Sequence, residues 1–350
     1  MRPRTLVLAR DPGAASALLP IVLSGPVDFV AVGSARQHVQ RQGIACRGPS
    51  DDTAPDVPRR AITETRPQAL LTGTSRQAAR DAAWWEAARS ARLPSIAVVD
   101  HWAHPRERFS VASAFDKLPD AIAVIDEQAR YELVELGCPG EKLRVTGQPA
   151  FDVYLDAPPE GRQVARDRWG ADETEWIVLF ASEPVTADLG AGAPVDEKAA
   201  LVETLTAARS LGARLIVRPH PREDAHVLRH ALRDERGAIV DADVPRAQAI
   251  AGADVIVGIS SIFLVEAALA GRHVLGLDPS ATSPARRFPA LIEGGSSHPD
   301  IASWLGSART RGTLGESERR ERNALAGLMP GAADRIWKEL ERSAASASPT

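Results

Sequence analysis

Cysteine is scarce in this chain: Cys46 and Cys138 are the only two among 350 residues. So distant a pair supplies neither a disulfide framework nor the close C-x-x-C spacing of a zinc site, and a reducing cytoplasm fits best. No uninterrupted apolar run of about 18 residues occurs, which argues against a membrane-spanning helix. The basic start lacks the apolar core of a signal peptide, because Arg10 and Asp11 break it, and it reads as mature protein. Positive charge is not in excess either. The 42 Lys and Arg against 46 Asp and Glu leave a net charge of -4, which argues against a nucleic-acid or other polyanion partner. The first strand-to-helix junction carries no G-x-G-x-x-G, and no P-loop G-x-x-x-x-G-K-[ST] occurs anywhere.

The apolar content is ordinary. Hydrophobic residues make up 44% and charged residues 25%, enough to fold, and the length suggests two cores. Short apolar runs recur at TLVLA (5–9), DFVAVG (28–33), ALLT (69–72), SIAVV (95–99), AIAVI (121–125) and LRVT (143–146). Segments of helical length separate several of them, notably 75–92 and 127–136. Such strands alternating with helices predict a mainly parallel sheet covered on both faces. A turn-rich stretch, Asp156-Ala157-Pro158-Pro159-Glu160-Gly161, then predicts a hinge. A second series follows: WIVLFA (176–181), RLIV (214–217), AIV (238–240), DVIV (254–257) and HVLGL (273–277). The expected division is 1–157 and 158–350, with helices over 316–342 closing the second domain and a frayed tail from Ser343.

Residues that follow strands in such sheets lie at the edge where ligands bind. In the second half, Gly258-Ile259-Ser260-Ser261 opens the helix IFLVEAALAG. Its free N–H groups, two hydroxyls and positive dipole end suit a phosphate. Glu266, one and a half turns in, is placed to reach a ribose hydroxyl. The same residues also fit a plain helix cap with a solvated glutamate. Arg218-Pro219-His220-Pro221-Arg222-Glu223 follows RLIV, where two prolines hold the loop extended. Arg218, His220 and Arg222 offer donors suited to a diphosphate, and His220 can exchange a proton near neutral pH. Glu183, after WIVLFA, is a candidate acid, base or hydroxyl acceptor.

In the first half, Asp11 and Gly13 sit where the first strand meets the first helix, a place where small residues let a substrate approach. Thr74 and Ser75 follow ALLT, as helix caps or ligand contacts. The loop Asp100-His101-Trp102-Ala103-His104-Pro105-Arg106-Glu107-Arg108-Phe109 is dense in functional groups. Asp100 or His101 suits a general base, and Arg106 and Arg108 suit an anionic group. His101 and His104 alone make a weak metal set. Gln148 ends the strand LRVT at the same edge.

These features together resemble the GT-B superfamily, over nearly the whole chain. HPRE at His220 to Glu223, with the serine-opened helix carrying Glu266, is similar to non-hydrolysing UDP-N-acetylglucosamine 2-epimerases. Ser260-Ser261-Ile262-Phe263 resembles the corresponding segment of CDP-glycerol glycerophosphotransferases. The resemblance implies two doubly wound Rossmann-like α/β domains with a nucleotide-linked substrate in a central cleft. It further implies an enzyme of the glycosyltransferase kind using a nucleotide-diphosphate donor, with no metal and no cofactor. Arg218, His220, Arg222, Ser260 and Ser261 would hold the diphosphate and Glu266 the ribose. Alternatives are a nucleotide-sugar 2-epimerase or hydrolase, and a non-catalytic nucleotide binder of the same fold.

Overall fold

In a computed structural model of the chain, residues 1–48, 54–111, 114–156, 159–295 and 299–347 are described. The chain divides into two compact units. The first comprises Met1–Asp152 with Leu328–Thr350, and the second Val153–Gly327. The expected boundary at 157 and 158 lies outside the described residues.

The first unit contains β1 (Thr5–Ala9), β2 (Val27–Ala31), β3 (Ala69–Gly73), β4 (Ser95–Val98), β5 (Ala121–Val124) and β6 (Leu143–Val145). They form one parallel sheet in the order β2-β1-β3-β4-β5-β6. Alternation along β1 shows why the run is apolar throughout. Leu6 and Leu8 join a core with Trp84, Trp85 and Phe109, whereas Val7 and Ala9 join a core on the opposite face with Leu18 and Ile21.

The second unit contains β7 (Ile177–Ala181), β8 (Arg214–Arg218), β9 (Ala238–Val240), β10 (Val255–Gly258), β11 (His273–Gly276) and β12 (Glu293–Gly294). Its parallel sheet runs β12-β11-β10-β7-β8-β9. Both units are thus doubly wound Rossmann-like layers. Every strand expected from the sequence is present within two residues at either end. The two-residue β12 carries too little pattern to be seen in advance.

The end of the chain departs from the expected division. The helix Glu316–Leu325 belongs to the second unit, but the helix Ala332–Ala347 returns to the first. Its Ile336, Trp337 and Leu340 complete the core that holds Leu18 and Ile21. The Trp337 indole N–H donates to Ser24 Oγ at 3.0 Å. Both carboxylate oxygens of Asp152 accept from the N–H groups of Ala332 and Ala333, at 3.0 and 2.9 Å, and so fix the start of this helix. Helix continues through 343–347, the described part of the tail expected to fray. Trp337 is only 2% exposed, so Trp337→Ala should cost about 3–5 kcal/mol, read as an earlier urea transition of the first unit.

Candidate functional site

A doubly wound sheet opens a crevice where the direction of strand order reverses, at the carboxyl ends of the strands. In the first unit this point lies between β1 and β3, and in the second between β7 and β10. The candidate residues concentrate at these two places.

Asp11 ends the loop after β1 and accepts from Ala14 N–H at 2.8 Å, capping the helix Pro12–Val22. Gly13 follows. A β-carbon on Gly13 would stand 2.5 Å from Asp100 Oδ2 and 3.5 Å from Asp11 Oδ1, so only glycine leaves room for both carboxylates. Asp100 follows β4, and its Oδ1 accepts from Arg108 Nη1 at 2.6 Å and from Thr74 Oγ1 at 3.2 Å. The same Arg108 nitrogen reaches Thr74 Oγ1 at 2.9 Å, while Nε donates to Ala103 O. Gln148 Nε2 donates to Asp100 O at 3.4 Å. Asp11, Gly13, Thr74, Asp100, Arg108 and Gln148 are therefore brought together.

Other expected residues have contacts of their own. Ser75 is fastened through its N–H and hydroxyl to Asp81, at 2.9 and 2.8 Å. Asp81 also accepts from Arg10 Nε at 2.7 Å. Burial raises the Asp81 carboxyl, and the Arg10 charge opposes that rise. This Asp81–Arg10 pair was not anticipated; an acid in the first turn of a buried helix was its only trace in sequence. His101 accepts from Ala103 N–H through Nδ1 at 3.0 Å and stacks on Trp102 at 4.2 Å between ring centres. Arg106 is exposed, with its guanidinium 5.9 Å from the Phe115 ring centre. His104 lies 3.8 Å from Glu107, and burial lowers its proton affinity.

In the second unit, Ser261 caps the helix Ile262–Leu269 that follows β10. The anion seat anticipated here is held by the chain itself. Glu183, in the loop after β7, accepts from Ser260 N–H at 2.6 Å, Ser260 Oγ at 3.1 Å and Ser261 N–H at 2.9 Å. Burial pushes Glu183 up to about 7, although the two serines pull it down. A second carboxylate braces the neighbouring loop. Glu223 accepts from His220 N–H at 2.7 Å and from Ser182 Oγ at 2.8 Å, which joins the loop after β8 to the loop after β7.

The expected cations are also engaged. Arg218 donates to Val244 O at 2.8 Å and lies over the Phe263 ring, and burial lowers its pKa to about 10. Arg222 makes a two-point ion pair with Asp188, at 2.7 and 2.6 Å. Glu266, expected to meet a ribose hydroxyl, is 2% exposed and bound to Arg246 at 2.7 and 3.0 Å. The reason is packing: every residue from Phe263 to Leu269 is buried, leaving that helix face no solvent. Burial raises the Glu266 carboxyl and Arg246 pulls it back. Arg246 was not anticipated, since nothing in its local sequence marks it as the partner of a residue twenty positions away.

No protein-family model matches the chain, and no curated protein matches its sequence. Solved structures do match. UDP-GlcNAc 2-epimerase from Neisseria meningitidis, bound to UDP-GlcNAc, is 14% identical with a TM-score of 0.66, covering 97% of this chain and 99% of that one. MnaA of S. aureus, in a co-structure with UDP, is 14% identical with a TM-score of 0.63, covering 98% and 96%. HepE of Anabaena, in complex with UDP and glucose, is 14% identical with a TM-score of 0.62, covering 98% and 100%. The chain therefore shares the GT-B fold of these proteins over almost its whole length.

Proposed function

We propose that the chain is an enzyme acting on a nucleotide-diphosphate sugar, with the 2-epimerase type of reaction as the first reading. One observation carries it: Glu183, Ser260 and Ser261 meet at the switch point, and Glu223 ties the His220 loop to the loop after β7, in a fold whose solved examples hold UDP and UDP-GlcNAc. A helix start with two serine N–H groups is suited to a phosphate, and His220 adds an imidazole on the neighbouring loop. These groups stabilise charge developing on a departing nucleotide diphosphate without need of a metal. Within the first unit, taken by itself, Asp100 is fixed by Arg108 and next in sequence to His101. Because Glu183 already bonds Ser260 and Ser261, binding of a phosphate there exchanges one anion for another.

Group transfer is the second reading, favoured by Ser260-Ser261-Ile262-Phe263, which resembles a phosphotransferase segment. Incubation with UDP-GlcNAc alone separates the readings. A new C2 epimer supports the first, whereas UDP release only after an acceptor is added supports the second. Free sugar without acceptor indicates hydrolysis, and binding without any turnover indicates a non-catalytic protein. Joint replacement His220→Ala and Ser260→Ala should weaken UDP binding about tenfold or more in calorimetry, the scale of one or two charge-assisted hydrogen bonds. Unchanged affinity would remove this nucleotide site.

A further inference from the structure

Two carboxylates share the switch point of the first unit, in unequal surroundings. Asp100 is 7% exposed, and its Oδ1 is held by the Arg108 guanidinium and the Thr74 hydroxyl. Its Oδ2 makes no hydrogen bond among the described residues and points to the space above Gly13. Asp11 borders the same space and has one hydrogen bond, from Ala14 N–H, and no ion pair among the described residues. Two carboxylates this close in a poorly solvated place resist being ionised together. The proton goes to the member without a cation.

We propose that Asp11, and not Asp100, carries the exchangeable proton of this site, while Asp100 is the fixed anion that positions and charges it. The inference rests on reading this edge as the place where the sugar reacts. The surroundings agree. Burial and then the Asp100 charge push Asp11 up to about 7, against the opposing pull of Ala14 N–H and Arg108, and Asp81 adds to the rise. Those charged groups come from the loop after β4, the helix Pro105–Phe109 and the helix Ala78–Ser90. Arg10, next in sequence, is spent on Asp81.

A carboxyl that titrates near neutrality is half acid and half base at pH 7, which suits it to proton exchange in both directions. As the base, Asp11 takes the proton of an uncharged sugar C–H or O–H. The bonding pair stays on the substrate atom, and Asp11 becomes the neutral acid. In the reverse direction it returns that proton and regains its charge. Asp100 keeps its charge throughout, because Arg108 stays with it.

The test is a carbon-13 titration of the aspartate side chains in the intact, ligand-free chain, each carboxyl assigned through its own β-methylene. Asp11 should show a midpoint near 7. In Asp100→Asn the Asp11 midpoint should fall by about one pH unit or more, because a neighbouring charge is removed and Arg108 is freed. A midpoint of Asp11 below 5, or Asp100 as the one near 7, would overturn the proposal. Asp11→Asn should lower kcat roughly a hundredfold or more while UDP affinity in calorimetry holds. Equal loss of both would make Asp11 a binding group and also overturn it. The titration needs no turnover, so an Asp11 midpoint near 7 in a chain that leaves UDP-GlcNAc unchanged, with and without an acceptor, would refute the functional reading and not the assignment of the proton to Asp11.

Discussion

A Glu183→Gln chain is expected to bind UDP about tenfold more tightly than the natural chain at pH 8, and nearly equally at pH 6. The carboxylate of Glu183 already holds both serine N–H groups and one hydroxyl of the seat. Above about 7 it is ionised and competes with phosphate for donors suited to a single anion. Each factor of ten is worth about 1.4 kcal/mol, well within the value of one charge-assisted hydrogen bond. Stability moves the same way. The folded value of Glu183 lies above its ordinary one of 4.5. Its stabilising effect is therefore complete below about 4.5 and is lost as pH rises through about 7, with a limit of roughly 3 kcal/mol. Glutamine does not titrate, so the variant should gain on the natural chain in thermal melts as pH rises from 5 to 8. Weaker UDP binding in the variant at pH 8 would mean that Glu183 itself contacts the nucleotide.

Arg246→Met should destabilise the second unit by about 3–5 kcal/mol, because a buried carboxylate loses its only ion-pair partner among the described residues. Glu266 is too deeply enclosed to recover water, and the arginine reaches both its oxygens. Arg246→Met combined with Glu266→Gln should restore most of that loss, since both charges are then gone. Urea denaturation of the single and double variants reads the effect directly. A loss under about 1 kcal/mol for Arg246→Met would show that Glu266 is not ionised in the folded chain, or finds another partner.

The strands were legible because both faces of each sheet are covered, so that β1, β3, β7 and β10 are continuous apolar runs bounded by turns. The site was legible as a set of loops for a related reason. In a parallel sheet each residue just after a strand lies at the same edge, whichever strand it follows. That rule placed Asp11, Thr74, Asp100, Glu183, His220 and Ser260 at the carboxyl edges of their sheets. Their partners were not legible. Glu183 and Ser260 are 77 positions apart, and they meet because β7 and β10 are neighbours in the sheet. Strand order follows from packing the whole layer, which no local pattern encodes. Helix periodicity likewise marked a helix near the end of the chain, but its apolar stripe does not say which core it completes.

The candidate anion seat formed by the loops after β7, β8 and β10 shows where the division falls. By itself the sequence determined two parallel α/β layers, the loops at their carboxyl edges and the chemical groups those loops carry, since these depend on periodicity and on order along the chain. Tertiary structure alone decided that Glu183 fills the seat, that Glu266 is spent on Arg246, and that Asp100 rather than Asp11 receives Arg108. A charge pairs with whatever the folded chain brings within a few ångströms, and burial makes that choice costly to reverse.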